Sequence, residues 1–240
     1  MIRSEINKKI KKAGAAAALL SVEMVIIITL FFVSLYAFIY MVRRVFYLQN
    51  NSFDQYIFDH LGNHVSDFNN QVMLFFSYIG GHYFLIPANL SLIVYFLFVR
   101  KHKWFSIKVP AIALSSLALM FLLKHFFGRA RPLIPLLAEA RGLSFPSGHA
   151  LNAVTFYGLL IYLIWKTVPN PYLKWTLAIF LITIILMIGF SRIYLRVHYT
   201  SDVLAGFSMG LIWLVLSLIL LKRIEVYSSR ELDPTVEGRK

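Results

Sequence analysis

The sequence predicts an all-α integral membrane protein with six transmembrane helices and, between the first and second spans, one or two amphipathic interfacial helices. Three observations support this fold class. Hydrophobic residues make up 59% of the 240 residues and charged residues only 15%, which is far too apolar for a soluble domain. The apolar residues fall into six runs, each close to the ~20 residues that cross a bilayer. Aromatic residues make up 16% of the chain, as is typical of helical bundles with aromatic side chains at both membrane interfaces.

The first predicted span covers about residues 24–42 and follows a polar N-terminus that carries five basic residues. Glu23 interrupts the apolar run, so we expect it near the inner interface, with residues 13–22 as a helical extension. Arg43 and Arg44 end the span. The run is too long for the core of a signal peptide, which predicts a retained anchor.

Residues 50–79 are too polar to cross the membrane, yet their apolar residues recur at steps of three and four. This spacing places them on one helical face and predicts one or two helices lying in the outer interface, broken near Gly62 and Asn63. Gly80 and Gly81 then predict a hinge. We expect this segment either to pack on the bundle or to form a movable wall beside a lipid entrance.

The other five spans are predicted from apolar runs that end at basic residues or at proline and glycine. They cover about residues 82–99, 109–127, 148–165, 175–194 and 201–221, and a polar tail follows. Pro87 marks a candidate kink in the second span. The whole chain, residues 1–240, is expected to form a single membrane-embedded domain.

The distribution of basic residues predicts the orientation of the bundle. With six spans both termini lie on one side, and the segments on that side carry 16 of the 24 Lys and Arg residues. Because basic residues accumulate in the cytoplasm, we expect both termini to be cytoplasmic in a cell membrane, the inner membrane of a bacterium. The formal net charge of +13 follows from this topology, and no basic stripe on a soluble fold suggests a nucleic-acid partner.

Three polar clusters lie where apolar spans begin or end. They are Lys124 with Arg129 and Arg131, then Pro146-Ser147-Gly148-His149, and then Ser191-Arg192 with His198 and Asp202. If the spans cross in simple alternation, all three clusters reach the outer face, towards the periplasm or the exterior. Lys124, Arg131 and Arg192 would then be three cations with few local anions on one face. Such a set forms a receptor for a multiply charged anion, and phosphate is the obvious candidate.

Ser147, Gly148 and His149 open the fourth span, where the first backbone N–H groups of a helix are unpaired and the helix dipole is positive. Such a helix start is an anion site by construction. Pro146 fits before the helix because it has no N–H to lose. Gly148 permits close approach of a phosphate oxygen, and the Ser147 hydroxyl can donate to it.

His198 and Asp202 are four residues apart, so they share one face if the sixth helix already begins there. A carboxylate bonded to one ring nitrogen fixes the tautomer of a histidine and raises the nucleophilicity of its other nitrogen. With Arg192 upstream and a second histidine at His149, the pair favours catalysis by a histidine nucleophile over a simple helix-capping aspartate.

The chain contains no cysteine, which excludes disulfides, thiolate metal sites and cysteine nucleophiles. The lack of cysteine does not indicate whether the protein lies in an oxidising or a reducing compartment. Carboxylates and histidines show no convincing metal-ligand spacing, so we expect neither a metal ion nor another cofactor.

These clusters resemble the three-part signature of the type 2 phosphatidic acid phosphatase (PAP2) superfamily. The matching residues are Lys124, six residues, Arg131-Pro132; Pro146-Ser147-Gly148-His149; and Ser191-Arg192, five residues, His198, three residues, Asp202. The order and spacing agree at every motif position. The resemblance covers about residues 109–221 in detail, and the layout of six spans overall.

The resemblance implies a metal-independent phosphatase that hydrolyses a phosphate monoester or diphosphate through a phosphohistidine intermediate. It implies that His198 attacks phosphorus, that Asp202 orients His198, and that His149 protonates the leaving oxygen and then activates water. The residues that would hold the phosphoryl oxygens are Lys124, Arg131, Ser147, Gly148 and Arg192.

Several alternatives stay open from the sequence. Phosphatidic acid, phosphatidylglycerol phosphate and a polyprenyl diphosphate all fit an enzyme whose partners are a phosphorylated membrane lipid and the bilayer. A lipid phosphotransferase is a second hypothesis, and a non-enzymatic lipid transporter or binding protein is a third. Polar groups at one end of the spans, rather than at the midplane, disfavour the third. The oligomeric state is not indicated, and we expect the phosphate to enter sideways beside residues 50–79.

Overall fold

The structure, a computed structural model, describes residues 24–137 and 142–228. These residues form helices and loops without a strand, and six of the helices are long and apolar enough to cross a membrane. In chain order the helices are α1 (Met24–Tyr47), α2 (Ser52–Gly62), α3 (Asp67–Ile79), α4 (His82–Val99), α5 (Lys103–Phe127), α6 (Gly148–Thr167), α7 (Pro171–Tyr194) and α8 (Thr200–Tyr227). The predicted fold class is confirmed. Glu23, the N-terminal extension and residues 229–240 of the polar tail lie outside the described residues, whereas α8 continues six residues beyond the predicted end of the sixth span.

Local cap chemistry sets two helix ends near the polar clusters. Ser66 caps α3, because its hydroxyl accepts a hydrogen bond from the backbone N–H of Asn69 at 3.2 Å. α5 ends at Gly128, whose φ of +61° lies in the left-handed region that glycine adopts without steric cost. This stop leaves Lys124 in the last turn of the third span.

α6 is the central helix of the bundle and packs against α5, α7 and α8. A Cβ atom at Gly206 of α8 would lie 2.6 Å from the carbonyl oxygen of Ser147, and one at Gly210 would lie 2.8 Å from that of Leu151. Two glycines four residues apart therefore let the backbones of α6 and α8 approach closely, as at other helix contacts in membranes. The contact joins the two helix starts, where the Ser147 N–H donates to the Asp202 carbonyl at 2.9 Å.

α2 and α3 lie between the first two spans, and residues 63–66 separate them. α3 packs along the end of α7, where the Tyr194 hydroxyl donates to Oδ1 of Asn70 at 2.9 Å and Arg192 donates to the hydroxyl of Ser77. α2 contacts both α7 and α8. The two helices therefore cover the end of the bundle that carries the polar clusters.

Gly80 and Gly81 join α3 to α4 with φ values of −90° and −87°, which any residue can adopt. Packing nevertheless favours glycine at position 80, because a Cβ atom there would clash with Cγ2 of Ile188 on α7. The close contact fixes α3 against α7 at this point. Hinge motion at the two glycines stays a prediction.

An aromatic cluster anchors the segment before α6. The rings of Phe46, Phe127 and Phe145 lie with centroids 5.0, 5.2 and 4.9 Å apart, and Phe145 is fully buried. Offset and edge-to-face pairs of this kind stabilise cores beyond their buried area. The cluster holds α1, the end of α5 and the cis Phe145–Pro146 peptide together beside the start of α6.

α5 begins at Lys103, six residues before the predicted start of the third span. The added turns contain Lys108, which is 1% exposed and whose Nζ lies 2.9 Å from Oε2 of Glu225 on α8. A lysine inside a span is costly, which is why the sequence favours a basic loop here. The ion pair supplies the compensating partner and joins α5 to α8 at the end opposite to the polar clusters.

Candidate active site

The three polar clusters meet at one end of the bundle. The helix ends that carry them are the last turn of α5 (Lys124), the first turn of α6 (His149), the last turn of α7 (Arg192) and the first turn of α8 (Asp202). Arg131 lies in the loop between α5 and α6, and its Nη1 is 3.2 Å from Nε2 of His198. Burial lowers the pKa of Arg131, and the nearby Asp202 carboxylate opposes this effect.

His198 lies just before α8 and is 1% exposed. Its Nδ1 is 3.2 Å from Oγ of Ser144 and 3.5 Å from Oδ2 of Asp202. Because the guanidinium of Arg131 can only donate, Nε2 accepts from it and the ring proton sits on Nδ1. Burial lowers the pKa of His198 to about 3, although Asp202 opposes this effect. The ring is therefore neutral near pH 7 and carries its lone pair on Nε2, as a nucleophile requires.

Ser144 links His198 to Asp202 more closely than the two side chains contact each other. Its hydroxyl donates to Oδ2 of Asp202 and can accept from the Nδ1–H of His198. The same carboxylate oxygen accepts from the backbone N–H of Tyr199 at 2.9 Å. The pairing expected from the i, i+4 spacing thus includes a bridging hydroxyl, because the direct gap is 3.5 Å.

His149 stands in the first turn of α6, where its Nε2 would lie 3.5 Å from a Cβ atom placed on Gly81. The ionisable groups that act on it are Arg192, His198, Arg131 and His82. His149 in the first turn of α6 and His198 in the loop before α8 therefore lie close enough to influence each other, in a region rich in cations. A nucleophile and a separate proton donor must both reach one phosphate group, which two neighbouring histidines allow.

The cations of the site are accompanied by buried donors. Arg192 is 8% exposed, and its Nη1 donates to Ser77, but its Nε has no partner among the described residues. The fully buried hydroxyl of Ser147 also lacks a partner in that part of the chain. Unpaired buried donors are costly, and these lie near the positive end of α6. They suit the oxygens of a phosphoryl group.

Helix packing also favours glycine at position 148, in addition to the expected approach of a phosphate oxygen. A Cβ atom at this position would clash with Sδ of Met120 on α5 and would lie 3.8 Å from Cε of Lys124. α5 and α6 therefore approach closely here. This contact holds Lys124 beside the first turn of α6.

Arg129 and Asp54 complete the site, although the sequence does not assign a role to either. Arg129 donates from Nη1 to Oδ1 of Asp202 at 2.6 Å and from Nη2 to Oδ2 of Asp54 at 3.0 Å. In the sequence Arg129 belongs to the same basic cluster as Arg131, but only Arg131 matches a position of the PAP2 signature. Asp54 lies 75 residues before Arg129 in a polar segment, and no local pattern shows that it is buried.

An apolar cavity of about 380 Å³ opens between α4, α5 and α6. One end is lined by His82, Phe121 and Asn152. Phe121 lies one helical turn before Lys124 on α5, and Asn152 lies one turn after His149 on α6. The cavity therefore begins directly beside the polar site.

The cavity extends away from the site along the spans. It is lined along α4 from His82 to Ile93 and along α5 from Phe121 back to Pro110, a length of about 16 Å at 1.5 Å per residue. That is roughly half the thickness of the hydrocarbon core of a bilayer. All lining residues of this cavity come from α4, α5 and α6, and the entrance expected beside residues 50–79 stays a prediction.

Comparison with known proteins decides the family. The profile of the PAP2 superfamily matches residues 105–225, just over half of the chain. The chain belongs to the PAP2 superfamily. It is 33% identical to phosphatidylglycerophosphatase B of Bacillus subtilis over 145 residues, which are 60% of this chain and 70% of that protein. This membership makes the chain a membrane-bound phosphatase.

Two further comparisons extend this result. The chain is 26% identical to the undecaprenyl-diphosphatase of Sulfolobus acidocaldarius over 147 residues, which are 59% of this chain and 65% of that protein. The crystal structure of the transmembrane PAP2-type phosphatidylglycerolphosphate phosphatase from Bacillus subtilis superposes with a TM-score of 0.73 at 28% identity. The superposition covers 82% of this chain and 96% of that one, so the likeness includes helices outside the profile match.

Proposed function

We propose that this PAP2 protein hydrolyses a phosphate monoester or diphosphate of a membrane lipid through a phosphohistidine intermediate. The observation that carries the proposal is the junction between the cation-lined site around His198 and the apolar cavity that begins one helical turn from Lys124 and His149. A lipid phosphate has the same two parts, a multiply charged headgroup and a hydrocarbon chain. Pockets for such ligands combine an apolar lining with a few placed polar groups.

The first step of the proposed reaction forms a bond between Nε2 of His198 and phosphorus and breaks the bond to the leaving oxygen. His149 gives this oxygen the proton that it needs. The Asp202 carboxylate, with Ser144 beside it, stabilises the positive charge that develops on the ring of His198. In the second step His149 takes a proton from water, and the oxygen of that water displaces His198 from phosphorus, which releases inorganic phosphate.

The cations hold the phosphoryl oxygens in this proposal. Lys124, Arg131 and Arg192 contribute charge, and the Ser147 hydroxyl and the N–H groups from Gly148 onward contribute donors. Phosphoryl transfer depends chiefly on positioning and on neutralising these oxygens. Protein groups supply both here, so we propose a mechanism without a metal ion. Within residues 24–137 and 142–228, no three His, Asp or Glu side chains are grouped so that they could share one.

The site faces the periplasm or the exterior in this proposal. The polar clusters lie at the end of the bundle opposite to Lys108 and Glu225, and 16 of the 24 basic residues belong to segments assigned to that opposite side. Basic residues of this kind mark the cytoplasmic side. The substrate would then be a lipid phosphate of the outer leaflet.

A phosphate-release assay tests the proposed function. The purified protein is supplied with phosphatidylglycerol phosphate, phosphatidic acid and a polyprenyl diphosphate in mixed micelles, since relatives carry the names of a phosphatidylglycerophosphatase and an undecaprenyl-diphosphatase. We expect release of inorganic phosphate from at least one of them. Transfer of the phosphate to a second lipid, without release, would identify a phosphotransferase instead. Binding without either reaction would refute the enzyme proposal.

A pair of matched variants tests the role of the cavity. Ala113→Trp fills the cavity from α5, whereas Ala118→Trp places the same side chain on an exposed position of that helix outside the lining. We expect Ala113→Trp to lower kcat/KM for long-chain lipids but to leave a short, soluble phosphate ester unaffected. Ala118→Trp should change neither. Equal losses for both substrates would show that the cavity does not hold the lipid chain.

A further inference from the structure

The guanidinium of Arg129 lies between two buried carboxylates. Its Nη1 is 2.6 Å from Oδ1 of Asp202, and its Nη2 is 3.0 Å from Oδ2 of Asp54. The side chains of Asp54 and Asp202 are 3% and 0% exposed, and the side chain of Arg129 is 9% exposed. The guanidinium also stacks on Tyr199, with 4.0 Å between its central carbon and the ring centroid. These contacts fix the plane of the guanidinium.

Asp54 connects this arrangement to α2 and to the start of α8. Its Oδ1 accepts from the backbone N–H of Ser201 at 2.8 Å, and its Oδ2 accepts from the Ser201 hydroxyl at 2.7 Å. Ser201 stands in the first turn of α8, where backbone N–H groups lack partners within the helix. Asp54 therefore acts as a cap from another helix, and it holds Arg129 at the same time.

The contacts of Asp202 divide its two oxygens between different tasks. Oδ1 binds Arg129, while Oδ2 accepts from Ser144 and from the backbone of Tyr199 and faces Nδ1 of His198. Rotation of the carboxylate would break the contact with Arg129. Arg129 therefore helps to hold Oδ2 towards the histidine, together with Ser144 and the backbone of Tyr199. Asp54 is the only charged partner among the groups that hold Arg129 apart from Asp202, because the others in the described part of the chain are the Ser201 hydroxyl at 2.7 Å and Oδ1 of Asn51 at 3.1 Å.

We propose that Arg129 and Asp54 form a positioning pair that orients and partly neutralises Asp202, so that His198 stays neutral and correctly turned for attack. This inference rests on the proposed phosphohistidine mechanism and adds two residues outside the PAP2 signature. Neither residue touches the reacting atoms. The pair also makes the docking of α2 a condition for a competent nucleophile.

The charges around His198 determine what removal of Arg129 should do. The ionisable groups that face His198 are Asp202 from α8, Arg131 from the loop after α5, Lys124 from α5 and His149 from α6. Arg129 compensates the negative charge of Asp202 without contacting the ring. Without Arg129 that charge favours a protonated, non-nucleophilic His198, so the acid limb of kcat/KM should move to higher pH.

Four variants and two controls test the positioning pair. Arg129→Gln removes the charge, Arg129→Lys keeps it, Asp54→Asn removes the anchoring carboxylate, and a double variant combines Arg129→Gln with Asp54→Asn. Asp59→Asn changes an exposed aspartate of α2, and Arg43→Gln changes an exposed arginine at the end of α1. Folding is followed by size exclusion and thermal melting, and kcat, KM and the pH profile are measured with the lipid that the wild type hydrolyses.

We expect Arg129→Gln and Asp54→Asn each to lower kcat by about 10- to 100-fold, the effect of losing a hydrogen bond to a charged group. KM should not change, and the acid limb should shift for Arg129→Gln but not for Arg129→Lys. The double variant should lose no more than Arg129→Gln alone, because the two residues act as one unit. Both controls should behave as the wild type.

Two results would overturn the inference. One is a wild-type kcat and pH profile in Arg129→Gln. The other is a loss of activity that is fully explained by a smaller folded fraction of the variant. In that case the acid limb of the pH profile would stay where it is in the wild type, and the effects of the two substitutions would add in the double variant. Failure of the wild-type protein itself to hydrolyse any lipid phosphate would instead refute the proposed function.

Discussion

Replacement of Ser144 with alanine should slow the formation of the phosphoenzyme without changing substrate binding. Ser144 is fully buried, and its hydroxyl contacts both His198 and Asp202. A hydrogen bond to a charged group contributes about 1.5–3 kcal/mol, which corresponds to about 10- to 100-fold in rate. Asp202 can replace part of this contribution, because its Oδ2 is 3.5 Å from Nδ1 of His198. A shift of about 0.6 Å would restore a direct hydrogen bond of about 2.9 Å.

We therefore expect Ser144→Ala to reduce kcat by about 10-fold, at the lower end of that range, with an unchanged KM. The assay combines phosphate release with single-turnover measurement of the labelled phosphoenzyme, quenched in base because a phosphorus–nitrogen bond is labile in acid. Ser208→Ala is the matched control, since Ser208 donates only to the carbonyl of Leu204 on its own helix. An unchanged kcat would refute the bridging role of Ser144. A loss as large as that of Asp202→Ala would refute the claim that the carboxylate can take over.

Four further outcomes follow from the site and its packing. His198→Ala should abolish the phosphoenzyme, whereas His149→Ala, which loses about 10²- to 10⁴-fold with ordinary substrates, should be partly rescued by an activated phosphate ester; equal rescue of both variants would mean that the roles are misassigned. Gly80→Ala should lower the melting temperature through its clash with Ile188, and adding Ile188→Ala should recover part of the loss, unless the clash is absorbed elsewhere and the first variant melts normally. Lowering the pH from about 6.5 to 3 should destabilise the wild type more than His198→Asn. In this range the histidine of the unfolded chain binds a proton, whereas the buried His198, with a pKa of about 3, does not. An equal loss of stability in both proteins would contradict this. Turnover should persist in EDTA and vanadate should inhibit it, and activity lost in chelator but restored by magnesium would indicate a metal-dependent reaction.

The convergence of Lys124, His149 and Arg192 could be predicted from the sequence for a physical reason. Each lies in the first or last turn of a span, and the thickness of the bilayer fixes where a span begins and ends. Alternation of the spans then assigns each helix end to one face of the membrane. No knowledge of side-chain packing is needed for this step.

Other parts of the site depend on packing that no local pattern contains. Asp54 contacts Ser201 across 147 residues, and Ser144 contacts Asp202 across 58. Neither contact follows from hydropathy or from helical periodicity. The cavity is equally hidden, because it depends on how α4, α5 and α6 are placed relative to one another. At Lys108 the local pattern predicts the wrong structure. Its charge favours a loop, and only the ion pair with the distant Glu225 explains why it lies within α5.

The close contact of α6 and α8 inside the membrane sets the separation of His198 and His149, the proposed nucleophile and the proposed proton donor. Gly206 and Gly210 lie four and eight residues after Asp202, which places them about 6 and 12 Å further along α8. His149 lies in the first turn of α6 and His198 lies just before α8, so the contact between these two helix starts positions both histidines. A methyl group at Gly206 would therefore widen the distance over which the phosphoryl group must be attacked and its leaving group protonated.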